Sequence, residues 1–192
     1  ASVGIHPCET ADIKEEDMEW IKSLALNEKV VAVGEIGLDY HYNEPSRQIQ
    51  KKWFIRQLEI AKETGLPVII HSRDAAEDTL NIMKTFYPSN AKKTNGVVHC
   101  FSYSPEIAKI YIDMGFYLGI GGVLTFKNGR KLIDVVSQVP SDRLVLETDA
   151  PYLAPEPHRN ERNSSLNLEN VARKIAEIKG ITMQEVINIT ER

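Results

Sequence analysis

The 192-residue sequence is short of cysteine, of long apolar runs and of positive charge. It holds two cysteines, Cys8 and Cys100, far apart and in no metal-type pair. That fits a reducing compartment better than a disulfide scaffold, with both cysteines read as small buried hydrophobes. No stretch approaches the ~20 apolar residues that a membrane-spanning helix requires. With 23 Lys and Arg against 27 Asp and Glu, the formal net charge is −4. No overall basic field draws in nucleic acid, so binding of that kind has to rest on local basic groups or bound cations. The opening "ASVGIHPCET" lacks both an initiator methionine and the basic-then-apolar pattern of a secretory signal. The expectation is a cytoplasmic protein without membrane association, with this chain beginning inside a longer one.

What is present is a 42% hydrophobic composition with both charge signs mixed, enough for a single globular domain over residues 1–192. Short apolar runs alternate with helical segments. "KVVAVGE" (29–35) precedes a helix over 45–65, where Ser46 can cap and Ile49, Trp53, Phe54, Leu58 and Ala61 recur at helical intervals. Gly65 and Pro67 should stop it. "LPVIIH" (66–71) leads to a helix over 74–87 with Asp74 near its start, and "NGVVHCF" (95–101) to one over 104–115 opened by Ser104 and Pro105. "FYLGIGG" (116–122), a helix over 129–139 and "RLVLET" (143–148) continue the alternation. A loop over 150–165 and helices near 166–179 and 182–191 follow. Such alternation predicts right-handed βαβ units and a parallel sheet, either an open doubly wound sheet or a barrel.

Four of these runs end on a histidine or an acid: Glu35, His71, His99 and Asp149. In parallel α/β architectures that edge carries the active-site loops. Separations of 36, 28 and 50 residues put each of the four in a different βα unit. Two imidazoles and two carboxylates make a ligand set for Zn²⁺, Mn²⁺ or a similar divalent ion. Each could instead be a hydrogen-bonded loop residue or a helix cap. His6 in "GIHP" either faces the same pocket or organises the turn before Pro7. Arg73 in "HSRD" is placed either to grip a phosphate or to form a structural ion pair. His41 and Tyr42 fall near the site mouth. Gly119, Gly121 and Gly122 fit close backbone approach better than a phosphate-binding loop.

The stretches "GIHP", "VGEIGLDY", "PVIIHSRDA", "GVVHCFS", "GIGGVLTFKN" and "LETDAPYLAP…HR…RN" together resemble the TatD family of metal-dependent hydrolases, from residue 3 to about 180. The resemblance implies a (β/α)₈ TIM barrel of the metallo-dependent hydrolase type and deoxyribonuclease activity on DNA. Hydrolysis of D-aminoacyl-tRNA esters or of a small amide is the alternative on the same fold, and a metal-free scaffold protein is a third. It further implies up to two divalent ions, Zn, Mg or Mn. Glu35 would bridge them, His71 and His99 would ligate one, and Asp149 would ligate the other and act as base toward the attacking water. His6 and Arg73 would be substrate contacts. The family's initial His-x-His pair is missing, so the resemblance implies a chain without the first two βα units and a Glu35–His71–His99 half-site stronger than the Asp149 one. "RNSSLN" also departs from the proline that often follows "RN". No oligomeric state is implied.

Overall fold

The computed structural model describes residues 1–191, which form two compact units, one of residues 1–99 with 114–116 and the other of the remainder. The first unit contains β1 (Ser2–Val3), α1 (Glu15–Ala25), β2 (Ala32–Asp39), α2 (Arg47–Thr64), β3 (Val68–Arg73), α3 (Ala76–Phe86) and β4 (Gly96–Val98). The second contains α4 (Pro105–Asp113), most of β5 (Phe116–Ile120), α5 (Arg130–Gln138), β6 (Leu144–Leu146), α6 (Leu168–Lys179) and α7 (Met183–Thr190). Among the described residues no helix is long and apolar enough to cross a membrane.

Pairing is parallel throughout: β1 with β2, β2 with β3 and β3 with β4 in the first unit, β5 with β6 in the second. The strand interiors read as continuous apolar runs because both faces are covered. Val33, Ile36, Leu38, Val68 and Ile70 have no exposed surface. α2 covers β2 with Trp53, Phe54, Leu58, Ile60 and Ala61. Its ends are as the sequence predicts, since Ser46 Oγ accepts from the Ile49 N–H and Gly65 sits at φ 71° where the helix stops.

Three expectations are corrected. Neither Glu35 nor His71 ends its strand: β2 runs on to Asp39 with Glu35 its fourth residue, and β3 runs on to Arg73 with His71 its fourth. Asp74 does not cap α3. Ala75 holds that position, while Asp74 adopts φ 53° and turns its carboxylate toward His41 Nδ1 at 3.4 Å. The helix α1 was not anticipated, although Met18, Ile21 and Ala25 mark its buried stripe at helical spacing.

The register of β2 against β3 is the feature that bears on function. Val33 pairs with Val68 but Ile36 with Ile70, so β2 spends one residue more than its partner across Gly34 and Glu35. A bulge of this kind re-aims a side chain, here that of Glu35. Immediately after it Gly37 pairs with His71 at φ 149°, and a Cβ there would lie 1.9 Å from the His71 carbonyl oxygen. Gly96 repeats the arrangement against Val68 O, also at 1.9 Å. In the second unit, a Cβ on Gly119 would meet the Glu147 carboxylate at 2.6 Å and one on Gly122 the Leu153 carbonyl at 2.0 Å. Of the three glycines read as close backbone approach, Gly122 shows it, Gly119 makes room for a side chain, and Gly121 has ordinary clearance, with its nearest neighbour 3.5 Å from a Cβ.

Past the end of β2, Tyr40 donates its hydroxyl to Asp78 Oδ2 at 2.7 Å, and Lys51 Nζ lies 2.6 Å from the same oxygen. Lys51 first and Tyr40 second hold the Asp78 carboxyl below its ordinary value of 3.8. Folding thus favours the charged form. Its contribution is complete above that value and is lost as pH falls through the lower folded one. Two outcomes are expected in chemical denaturation. Gly37→Ala should lose more than ~2 kcal/mol of stability through backbone collision. Tyr40→Phe should lose about 0.5–1.5 kcal/mol at neutral pH and less below the Asp78 titration.

Candidate metal centre

Glu35 Oε1 is the point on which three of the first unit's histidines converge. His71 Nδ1 lies 2.8 Å from it, His99 Nε2 3.8 Å and His6 Nε2 4.0 Å. β2 supplies the carboxylate at its bulge, β3 supplies His71, and His99 follows β4, where its N–H donates to the Ile70 carbonyl at 2.9 Å. His6 precedes the 3₁₀ turn Pro7–Glu9. Its ring meets that of His71 edge to face with centroids 4.5 Å apart. Burial works to raise the Glu35 pKa. The hydrogen bond from His71 and the nearby His99, His71 and His6 outweigh it and hold the carboxyl below its ordinary range. Burial foremost, and then His71, push the His6 imidazole down. The pocket therefore favours a charged carboxylate beside a neutral His6.

One carboxylate and several imidazole nitrogens suit a borderline divalent cation such as Zn²⁺ or Mn²⁺. Ligand atoms of His6, Glu35 and His71 all lie within 4.8 Å of one another. Hydrogen bonding nevertheless gives His6 a different task. Its Nδ1 accepts from the Cys8 N–H at 3.3 Å, so the neutral ring carries its proton on Nε2, which faces Glu35 as a donor rather than a ligand. Beside Glu35 and His71, His99 Nε2 at 3.8 Å is a further nitrogen that could face a cation.

Two buried glutamines of α2, both about 1% exposed, hold the backbone beneath this cluster. Gln57 Oε1 accepts from the Ile5 N–H at 2.6 Å and its Nε2 donates to Ile5 O at 3.1 Å, fixing the segment that carries His6. Gln50 Oε1 accepts from the Asp39 N–H, and Nε2 donates to the carbonyls of Asp39 and Pro45, each at 2.8 Å. The sequence did carry a signal for both: they sit seven residues apart on the apolar stripe of α2, where a polar side chain needs a buried partner. Asp39, only 3% exposed, touches His71 Nε2 at 3.0 Å and was likewise assigned no role from sequence. Arg73, at the exposed end of β3, places its guanidinium carbon 5.8 Å from the Tyr42 ring centroid.

Asp149 belongs to the second unit, three residues beyond β6, at φ 54° in the left-handed region that an aspartate tolerates better than most residues. Its carbonyl accepts from the Tyr152 N–H at 2.8 Å. The loop is pinned by Asn163, 3% exposed, whose Nδ2 donates to Thr148 O and Tyr152 O, both at 2.7 Å. Glu147 Oε1 accepts from the Cys100 N–H at 2.6 Å. Neither Asn163 nor Glu147 was singled out from sequence.

The model of TatD-related DNases matches residues 1–192. This chain is a member of the TatD family. Its TatD relatives include the Bacillus subtilis metal-dependent hydrolase YabD, 47% identical over 190 residues, which cover 99% of this chain and 73% of YabD. A Rahnella protein named 3'-5' ssDNA/RNA exonuclease TatD is 35% identical over 196 residues, 100% of this chain and 73% of its own length. The crystal structure of YJJV, a TatD homologue from Escherichia coli, superposes with a TM-score of 0.90 at 30% identity, covering all of this chain and 73% of YJJV. The fold class is accordingly the TIM barrel of metallo-dependent hydrolases, and a TatD-family chain is a metal-dependent hydrolase.

Asn163→Ala should remove the buried clamp on the TatD-type Asp149 loop and cost about 1–3 kcal/mol in denaturant titration. Unchanged stability would show that the loop holds its shape without the clamp.

Proposed function

We propose that this chain hydrolyses phosphodiester bonds of single-stranded nucleic acid from the 3′ end, using a metal-activated water. The observation that carries this is the convergence of three imidazoles on one oxygen of Glu35. The name of the Rahnella relative supports the substrate class. Glu35, His71 and His99 would hold one divalent ion, Zn, Mg or Mn, and Asp149 would serve as a ligand of a second. Bound there, such ions lower the pKa of water and offset charge developing on a scissile phosphate. The −4 net charge then presents no obstacle, because the local positive charge is supplied at the bond being broken.

The chain's own groups do the rest. Asp149 accepts the proton of the attacking water as general base, on a backbone that Asn163 keeps rigid. His6, its Nε2–H fixed by the Cys8 amide, donates to a non-bridging phosphate oxygen. Arg73 reaches a phosphate from the end of β3, and Tyr42, 57% exposed beside it, offers a ring for a base to stack on.

Purified protein assayed on 3′-labelled single-stranded DNA with Mg²⁺, Mn²⁺ or Zn²⁺ should release nucleotides from the 3′ end, and EDTA should abolish the release. Asp149→Asn should lower the rate by about 10²–10⁴-fold. Cleavage of D-aminoacyl-tRNA with no action on DNA would assign the same site to ester hydrolysis instead.

A further inference from the structure

Resting on the metal-site reading above, we infer that Asp39 is a positioning residue that fixes the ring of His71 so that Nδ1 faces Glu35. The two ring nitrogens of His71 meet two carboxylates with different surroundings. Nδ1 lies 2.8 Å from Glu35 Oε1, whose side chain is about one-third exposed and opens on the cluster of imidazoles. Nε2 lies 3.0 Å from Asp39 Oδ2, whose side chain is only 3% exposed. An ionised carboxylate only accepts, so Asp39 takes the Nε2 proton as Glu35 takes the Nδ1 proton, and of the two Asp39 is the more buried partner. With Nε2–H held on Asp39, the proton that Nδ1 shares with Glu35 is the one a cation displaces, and the Nδ1 lone pair then serves as the ligand. A carboxylate behind a ligating histidine sets both its tautomer and its orientation.

Asp39 is itself held on every side. Oδ1 accepts from the His41 N–H at 2.9 Å, and the Asp39 backbone N–H and carbonyl are both bonded to Gln50 at 2.8 Å. Gln50 is in turn anchored to Pro45 O. The chain runs from the core face of α2 through Gln50 and Asp39 to His71, in consecutive hydrogen bonds.

The isosteric change Asp39→Asn keeps the Oδ1 bond to His41 but turns an amide N–H₂ toward Nε2. That favours a proton on Nδ1 and blocks the lone pair that faces Glu35. Zinc titrations by calorimetry should show the dissociation constant rising about 10–100-fold in Asp39→Asn, with the metal-free melting temperature close to that of the wild type. Glu35→Gln serves as the control for the metal site. If Glu35→Gln weakens zinc binding while Asp39→Asn binds as the wild type does, the positioning role falls and the metal site stands. If wild type and Glu35→Gln titrate alike, the metal site falls. A second measurement does not depend on the variant folding. In wild-type protein labelled with ¹⁵N-histidine and loaded with zinc, His71 should carry a slowly exchanging proton on Nε2. A bare Nε2 with the proton on Nδ1 would overturn the assignment.

Discussion

The close parallel pairing of β2 with β3 is the constraint on which the site depends. Strands bring carboxylate and imidazole to hydrogen-bond distance only if their backbones lie at sheet spacing and their registers agree. Here the extra residue at Gly34–Glu35 shifts the register by one, and Gly37 then admits the His71 carbonyl where no other residue could. The Glu35 side chain is thereby delivered against His71 Nδ1. The neighbouring strand repeats the device at Gly96, just ahead of His99.

Around that ladder the polar groups form a graded series. Gln50 and Gln57 lie at the core face of α2 and bond backbone, Asp39 bonds both backbone and His71, and Glu35 meets three imidazoles at the pocket. Each step outward exchanges backbone partners for side-chain ones and raises solvent access. Rigidity is thus supplied from the core toward the group that is most exposed.

Much of this was legible in the sequence, and the omissions have physical reasons. The βα alternation, the caps of α2 and the ligand-type residues Glu35, His71 and His99 follow from local patterns of hydrophobicity and residue chemistry. The bulge could not be read, because a register slip is a relation between two strands while hydrophobic periodicity describes one. Glu35 therefore looked like the end of its strand, and β2 continues to Asp39. Asp74 resembled a helix cap because the sequence does not show that a left-handed backbone turns it away. Asp39 and Gln50 went unassigned because their partners are 32 and 11 residues distant and visible only in space. His6 is the subtler case: spacing placed it near the pocket, but its donor character depends on the Cys8 amide.

The central claim is that Glu35 anchors a divalent cation together with His71 and His99. Crystals of the chain soaked in Zn²⁺ or Mn²⁺ and measured at the metal's absorption edge test it most directly. The expected result is an anomalous peak about 2.0–2.2 Å from a Glu35 carboxylate oxygen and from nitrogens of His71 and His99. A metal bound elsewhere on the protein, with the Glu35–His71 hydrogen bond intact and no density between these groups, would contradict it.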